Sequence, residues 1–482
     1  MALVKTPNRQ LDDSQQIKLV QESNLELQGI DVVPDNERTS TPKDIFFVFL
    51  GSQMCFGIIV LGSIPIALGL SFWNAVTSIT VGLLIGSILF GLLAPFGAKT
   101  GTSGSTASIA HFGVKGRYIG IIMAIFTGFG FFALTVWTGG EALAASAARL
   151  FGWEITKNLM ALGSAIIAAI IIFVAIYGHK FIVATEKFVS YLVAVILVIV
   201  GLTLFSGFDA SYVGSTPALG TVAATWFLSV SLAAALPVSY GIFLNDYTRY
   251  LPTHVNTKKL IFAAGSGMFL GCWVALIFAA AVTTMFVTPD TPFVSGLINL
   301  VPWWAVLLLV IVGVIGSQPQ GSLCIYGAGL GLQSIIPKMG RIFSTIILSV
   351  IGMLLVFIGI YLVDMVNMII AFLTIDHCAL APWVVINVIG YFLVNRGEYD
   401  TDSLLYLSKN QNKSYWYTAG FNPSALIAWV SGFLVGSLFV HTDFYSGPLS
   451  DAFGGIGLDW VFAGAVGGIV FYILERSAGR IK

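Results

Sequence analysis

TWFLSVSLAAALPVSYGIFLNDYTRYLP, residues 225–252, is apolar enough to cross a membrane. Yet Pro237, Ser239 and Gly241 fall in its middle, where an unbroken helix favours Leu or Ala. We read it as two half-helices. An unpaired backbone N–H or C=O costs several kcal/mol in hydrocarbon, so broken backbone at mid-depth is tolerated only where it faces protein or a water-filled cavity. Such a break is a candidate binding site, its half-helix ends aiming backbone dipoles into the gap. A proline kink in a plain packing helix is the competing reading of this segment alone.

Composition decides the class. The chain has 482 residues, 57% hydrophobic and 10% charged, with a mean hydropathy of +0.91, far outside soluble globular usage. It is an integral membrane protein. Net charge is zero, so no nucleic-acid partner is expected. Cys55, Cys272, Cys324 and Cys378 lie in apolar segments without CxxC-like spacing, which argues against a disulfide framework or a bound metal. Residues 1–43 are polar, lack the order of a cleaved signal and read as a cytoplasmic tail.

A window of about 19 residues finds twelve spans, near 44–70, 74–96, 118–148, 158–177, 187–206, 221–250, 260–287, 303–335, 343–363, 365–394, 422–440 and 455–474. With both termini inside, every Lys and Arg except Arg149 and Lys157 falls on the inner side, as the positive-inside rule requires of a multi-pass cell-membrane protein. Span 1 carries Gly51, Ser52, Gln53 and Gly57 at mid-depth, and span 6, five spans later, carries Pro237 to Gly241. Interruptions at matching positions of two five-span halves point to an inverted repeat, because five is odd. The halves would cover 44–206 and 221–394, followed by two additional helices over 422–474 and a cytoplasmic tail from 475 to 482.

Five dispersed segments resemble the nucleobase:cation symporter-1 family of purine, cytosine and related permeases. They are GIDVVPDNERT (Gly29 to Thr39), GAKTGTSGSTASIAHFGVKG (Gly97 to Gly116), YGHKFIVATEKF (Tyr177 to Phe188), NDYTRYLP (Asn245 to Pro252) and IYGAGL (Ile325 to Leu330). The resemblance implies a leucine-transporter-type fold of two inverted five-helix repeats plus two helices, and proton- or sodium-coupled import of a flat heterocycle. It also implies that Phe131 holds the position of a stacking aromatic on span 3, usually Trp. Thr135 stands where relatives carry an amide, and Tyr240 matches the aromatic of span 6. The hydroxyl pair that binds sodium in some relatives corresponds to Pro319 and Gln320, a departure that weighs against sodium.

A nucleobase is planar, uncharged and edged with donors and acceptors, so it calls for an aromatic face and paired hydrogen-bonding groups. Phe131 and Tyr240 offer stacking of about 1–3 kcal/mol each. Gln53, Gln318 and Gln320 each offer a donor and an acceptor on one planar group. In a chain with 36 Phe, packing is the ordinary role of any one aromatic. Glu141 on span 3 is a substrate partner, a proton carrier or a structural acid satisfied by a neighbouring helix. Asp376 and His377 form a second intramembrane titratable cluster, open to proton coupling or to an interhelical hydrogen bond. Backbone at Gly51 to Met54 with Ser317 and Ser322 could supply oxygens to an ion.

An intramembrane enzyme would need a constellation such as HExxH, and a channel would show pore loops or a charged ring. Neither is present in the sequence. A solute sensor would usually carry a soluble output domain. The expectation is therefore a transporter: alternating-access symport of a nucleobase such as cytosine or a purine, with H+ or Na+ as coupling ion, no cofactor, no obligate protein partner and lipid as its surroundings. A permease for thiamine, pyridoxine, allantoin or a hydantoin is the alternative.

Overall fold

The computed structural model describes residues 31–288, 291–362, 365–405 and 414–481. Most of the expected N-terminal tail, and Lys482, lie outside them. A capping box starts span 1: the Thr41 N–H donates to Asp44 Oδ2 at 2.7 Å and the Asp44 N–H returns a bond to Thr41 Oγ1 at 3.4 Å. Pro42 occupies the first helical turn, where its missing N–H leaves nothing unpaired. The helix Pro42–Gly51 then stops and resumes as Phe56–Ala67, bent by 70°.

Among the described residues, ten helices are long and apolar enough to cross a membrane. Spans 2 to 10 are Phe72–Thr100, Tyr118–Phe151, Lys157–Tyr177, His179–Gly207, Val222–Thr248, Thr257–Thr283, Trp303–Ile335, Arg341–Leu362 and Met368–Val394, and span 12 is Asp459–Ser477. The bent pair supplies span 1, and the shorter Pro423–Ser437 stands in the place of span 11. Twelve spans are consistent with this. Span 5 begins at His179, eight residues ahead of the sequence reading, and this draws Glu186 into the interior.

The expected break in span 6 is not there. Val222–Thr248 is one continuous helix with Pro237 inside it. Proline removes a single bond, to the carbonyl of Ala233, and small residues around it let span 2 close on that face. A methyl group on Gly82 would lie 2.2 Å from the Val230 carbonyl oxygen, and one on Gly86 would lie 2.6 Å from that of Ala234 and 3.1 Å from the Pro237 ring. Close packing, rather than a cavity, is what the small residues of span 6 serve.

The packing pairs reveal the repeat. Span 1 packs on spans 5 and 7, while span 6 packs on spans 10 and 2; span 3 packs on spans 4, 9 and 10, while span 8 packs on spans 9, 4 and 5. Exchanging each span for the one five places away converts the first set into the second. Spans 11 and 12 pack on each other and on span 10, outside the exchange. This all-α bundle is two inverted five-helix halves with two added helices.

If the seam between spans 2 and 6 is as tight as described, Gly82→Ala should cost about 1–3 kcal/mol through overpacking. Thermal unfolding of the purified protein in detergent would read this as a lower midpoint, with Leu84→Ala on the outer face of the same helix as the near-neutral comparison.

Candidate functional site

The real break lies in span 1, between Gly51 and Phe56, with all the residues between them buried. Gln53 is held on both sides: its Nε2 donates to Ser52 Oγ at 2.8 Å and its Oε1 accepts from the Cys272 thiol of span 7 at 3.6 Å. The Met54 carbonyl faces span 8, where a methyl on Gly316 would stand 3.3 Å from it. At this level span 8 has its own irregularity, a widened π turn over Val312–Gly316, a feature often found at functional sites. Two irregular backbones therefore meet in the centre of the bundle.

The hydroxyls beyond this turn face their own helix. Ser317 Oγ donates to the Gly313 carbonyl at 2.6 Å, and Ser322 Oγ donates to the Pro319 carbonyl at 3.1 Å while accepting from Gln318 Nε2 at 3.0 Å. Gln320 differs. It is fully buried, and neither its amide nitrogen nor its oxygen has a hydrogen-bond partner. One turn after Gly316, it shares the side of span 8 that faces span 1.

Spans 3 and 6 bring the two predicted aromatics together. Phe131 and Tyr240 are fully buried with ring centroids 4.8 Å apart at 53°, and Phe372 of span 10 meets Phe131 edge-on at 5.4 Å. The Tyr240 hydroxyl lies 3.8 Å from Cys324 Sγ. Rings in contact at this distance cannot sandwich a third, which would need about 3.5 Å on each face. A heterocycle must stack on one ring or part the two. Thr135 donates back to the Phe131 carbonyl at 2.8 Å and packs against Gly57 of span 1.

The acids separate. Asp376 Oδ1 accepts from Thr127 of span 3 at 2.7 Å, Ser239 of span 6 approaches without closing a bond, and Oδ2 has no partner. Asp376 is thus one turn from Phe372, beside the aromatic pair. His377 does not join it. Adjacent helical residues point in different directions, and His377 turns to span 12, where its Nε2 lies 2.9 Å from Asp459 Oδ2 with both side chains buried. Glu141 also faces away from the aromatics: its Oε1 accepts from the Ser295 N–H at 3.2 Å and hydroxyl at 2.7 Å, closing the first turn of the short helix Phe293–Leu300.

Sequence reading missed Glu186. A methyl on Gly51 would lie 2.2 Å from Ser190 Oγ and 3.1 Å from Glu186 Oε2, so the carboxylate abuts the end of the first half of span 1. A span 5 that starts at residue 187 places it in a loop. The signal was the buried stripe Ile182, Glu186, Val189 and Val193, at helical spacing.

A broken span enclosed by other helices, with unpartnered amide and carboxylate groups in the same interior, is the setting in which many solute carriers build their sites. A family described as permease for cytosine/purines, uracil, thiamine, allantoin matches residues 32–462. The chain belongs to this family. Among its relatives, the Bacillus subtilis (strain 168) protein YxlA, a putative purine-cytosine permease by name, is 26% identical over 471 residues, 95% of this chain and 97% of its own. Mhp1, a nucleobase-cation-symport-1 family transporter in a closed conformation with bromovinylhydantoin bound, superposes with a TM-score of 0.76 at 19% identity, over 95% of this chain and 96% of its own. Inward-facing Mhp1 gives 0.70 at 17% identity, over 94% and 96%. The permease thus has the leucine-transporter-type fold expected from its sequence, and it is a membrane transporter rather than an enzyme.

For Glu141 the geometry assigns an anchoring role. Glu141→Ala and Ser295→Ala should each cost the permease about 1–3 kcal/mol, with the double substitution costing little more than either alone. Unfolding midpoints of the three variants would reveal this, and additive losses would contradict it.

Proposed function

We propose that this permease imports a flat polar heterocycle, a nucleobase such as cytosine or a purine, in symport with a cation by alternating access, its termini in the cytoplasm. The observation that carries the reading is Gln320: a planar amide, fully buried, with donor and acceptor both unanswered. Leaving such a group unpaired costs about 1–3 kcal/mol, so it persists where a ligand uses it. A nucleobase edge presents the complementary pair, and Phe131 and Tyr240 supply the stacking face nearby. Asp376 Oδ2 is a further acceptor for a ring N–H.

Protons fit the coupling better than sodium. The hydroxyls of Ser317 and Ser322 are turned to their own helix carbonyls, and Pro319 brings no side-chain oxygen. The inner orientation of the termini rests on the basic residues, of which all but Arg149 and Lys157 lie on the terminal side.

Uptake of labelled cytosine by cells lacking their own nucleobase permeases, competed with purines, uracil, allantoin and thiamine, tests the substrate. An uncoupler should abolish uptake and sodium replacement should not. Failure of every nucleobase to enter or compete would move the substrate to the vitamin and ureide group.

Gln320→Leu separates cargo binding from packing. Removing an unanswered amide should raise the unfolding midpoint of the empty protein while weakening substrate affinity roughly tenfold or more, as expected for two lost hydrogen bonds. Phe131→Ala and Tyr240→Ala should weaken affinity by a comparable factor. Normal affinity in all three would refute the site.

A further inference from the structure

Glu186 is fully buried on span 5, and neither carboxylate oxygen has a hydrogen-bond partner. It abuts Gly51, where the first half of span 1 ends. The carbonyl end of a helix carries partial negative charge, so an ionised carboxylate beside it is doubly disfavoured, by the dipole and by the dry interior. An ionised carboxylate at this position would require one compensating positive charge. The hydroxyl one turn on, Ser190 Oγ, donates to the Glu186 carbonyl at 2.6 Å and lies 3.3 Å from that of Phe47, so it does not answer the carboxylate. Both carboxylate oxygens are enclosed, and a proton can occupy one of them without any cavity.

Among the described residues no charged side chain pairs with Glu186, and the buried Arg249 at the end of span 6 donates to Tyr250 and Tyr326 instead. Span 1 presents Cys55, span 6 the hydroxyl of Tyr247 and span 8 Cys324. Span 7 contributes Cys272, engaged with Gln53. Lys157, the charged residue of span 4, lies at the far end of that helix, and Tyr177 at its near end packs on Phe181. On span 5 itself, Lys187 turns outward to pair with Asp44, and His179, two turns away, stacks on Tyr250 at 3.7 Å. The Tyr247 hydroxyl is buried and unpartnered, within electrostatic reach of Glu186.

We propose that Glu186 carries the coupling proton of this permease. One proton adds to a carboxylate oxygen from the outer aqueous phase and leaves it for the inner one in each cycle, with no other bond made or broken. Neutral Glu186 allows the two halves of span 1 and span 5 to close as they stand here; the ionised form requires them to open. This rests on the proton-symport reading above and names the group that reading left unassigned.

Two measurements on the purified full-length protein test it. Infrared difference spectroscopy needs no substrate: a protonated-carboxyl band at neutral pH should vanish in Glu186→Gln and remain in Asp376→Asn, and its persistence in Glu186→Gln would overturn the proposal. In liposomes with an inward proton gradient, using labelled cytosine, Glu186→Gln should lose accumulation by about tenfold per pH unit of gradient while counterflow exchange continues. Glu186→Asp should restore gradient-driven accumulation, which a merely structural role would not require. Undiminished accumulation by Glu186→Gln would also overturn the proposal. If the wild type moves no labelled cytosine at all, the cytosine reading fails and the infrared result alone judges Glu186.

Discussion

Inside hydrocarbon there is no water to answer a backbone amide, so a membrane helix that stops halfway must be enclosed by other protein. The rest of this structure follows from that requirement at Gly51 to Phe56. Span 3 brings Thr135 against Gly57, span 5 brings Ser190 and Glu186 against Gly51, span 7 brings Cys272 to Gln53, and span 8 brings Gly316 to the Met54 carbonyl. Small or polar residues make each of these approaches, because a bulky apolar one would hold the wall away. The enclosure creates a polar interior in a protein whose remaining surface is apolar.

The polar groups within divide by whether they are answered. Gln53, Gln318 and Glu141 have partners on their own or neighbouring helices and hold the bundle in register. Gln320, the second oxygen of Asp376 and the carboxylate of Glu186 have none. Buried polar groups are ordinarily paired, so those left open mark where something other than this chain completes the network. The two sets interleave along the same helices, which is why residue type alone does not separate them.

The spans, the repeat and the family were legible because they rest on long-range averages: hydropathy over some twenty residues, the sidedness of charge, motifs in order. The site was legible in part. Of the residues singled out in the sequence, Phe131 and Tyr240 meet and Gln320 stands without a partner, whereas Glu141 is taken up by Ser295. Span 6 was misread because proline and small residues are the signature both of a broken helix and of one packed too closely for side chains; the difference lies in the partner, and Gly82 and Gly86 are on another span. Asp376 and His377 looked like one cluster because they are adjacent in sequence, whereas a helix turns them apart. Glu186 was hidden by its neighbours, since Lys187 and His179 make the segment look like a polar loop.

The seam between spans 2 and 6 has a mechanical meaning. Where two helix backbones approach so nearly that one methyl group cannot be inserted, neither can slide past the other without first separating along most of its length. These two spans form a stiff beam. Compliance in the molecule is left to the places where helices are already interrupted, the hinge of span 1 and the widened turn of span 8, which stand on either side of the same small volume.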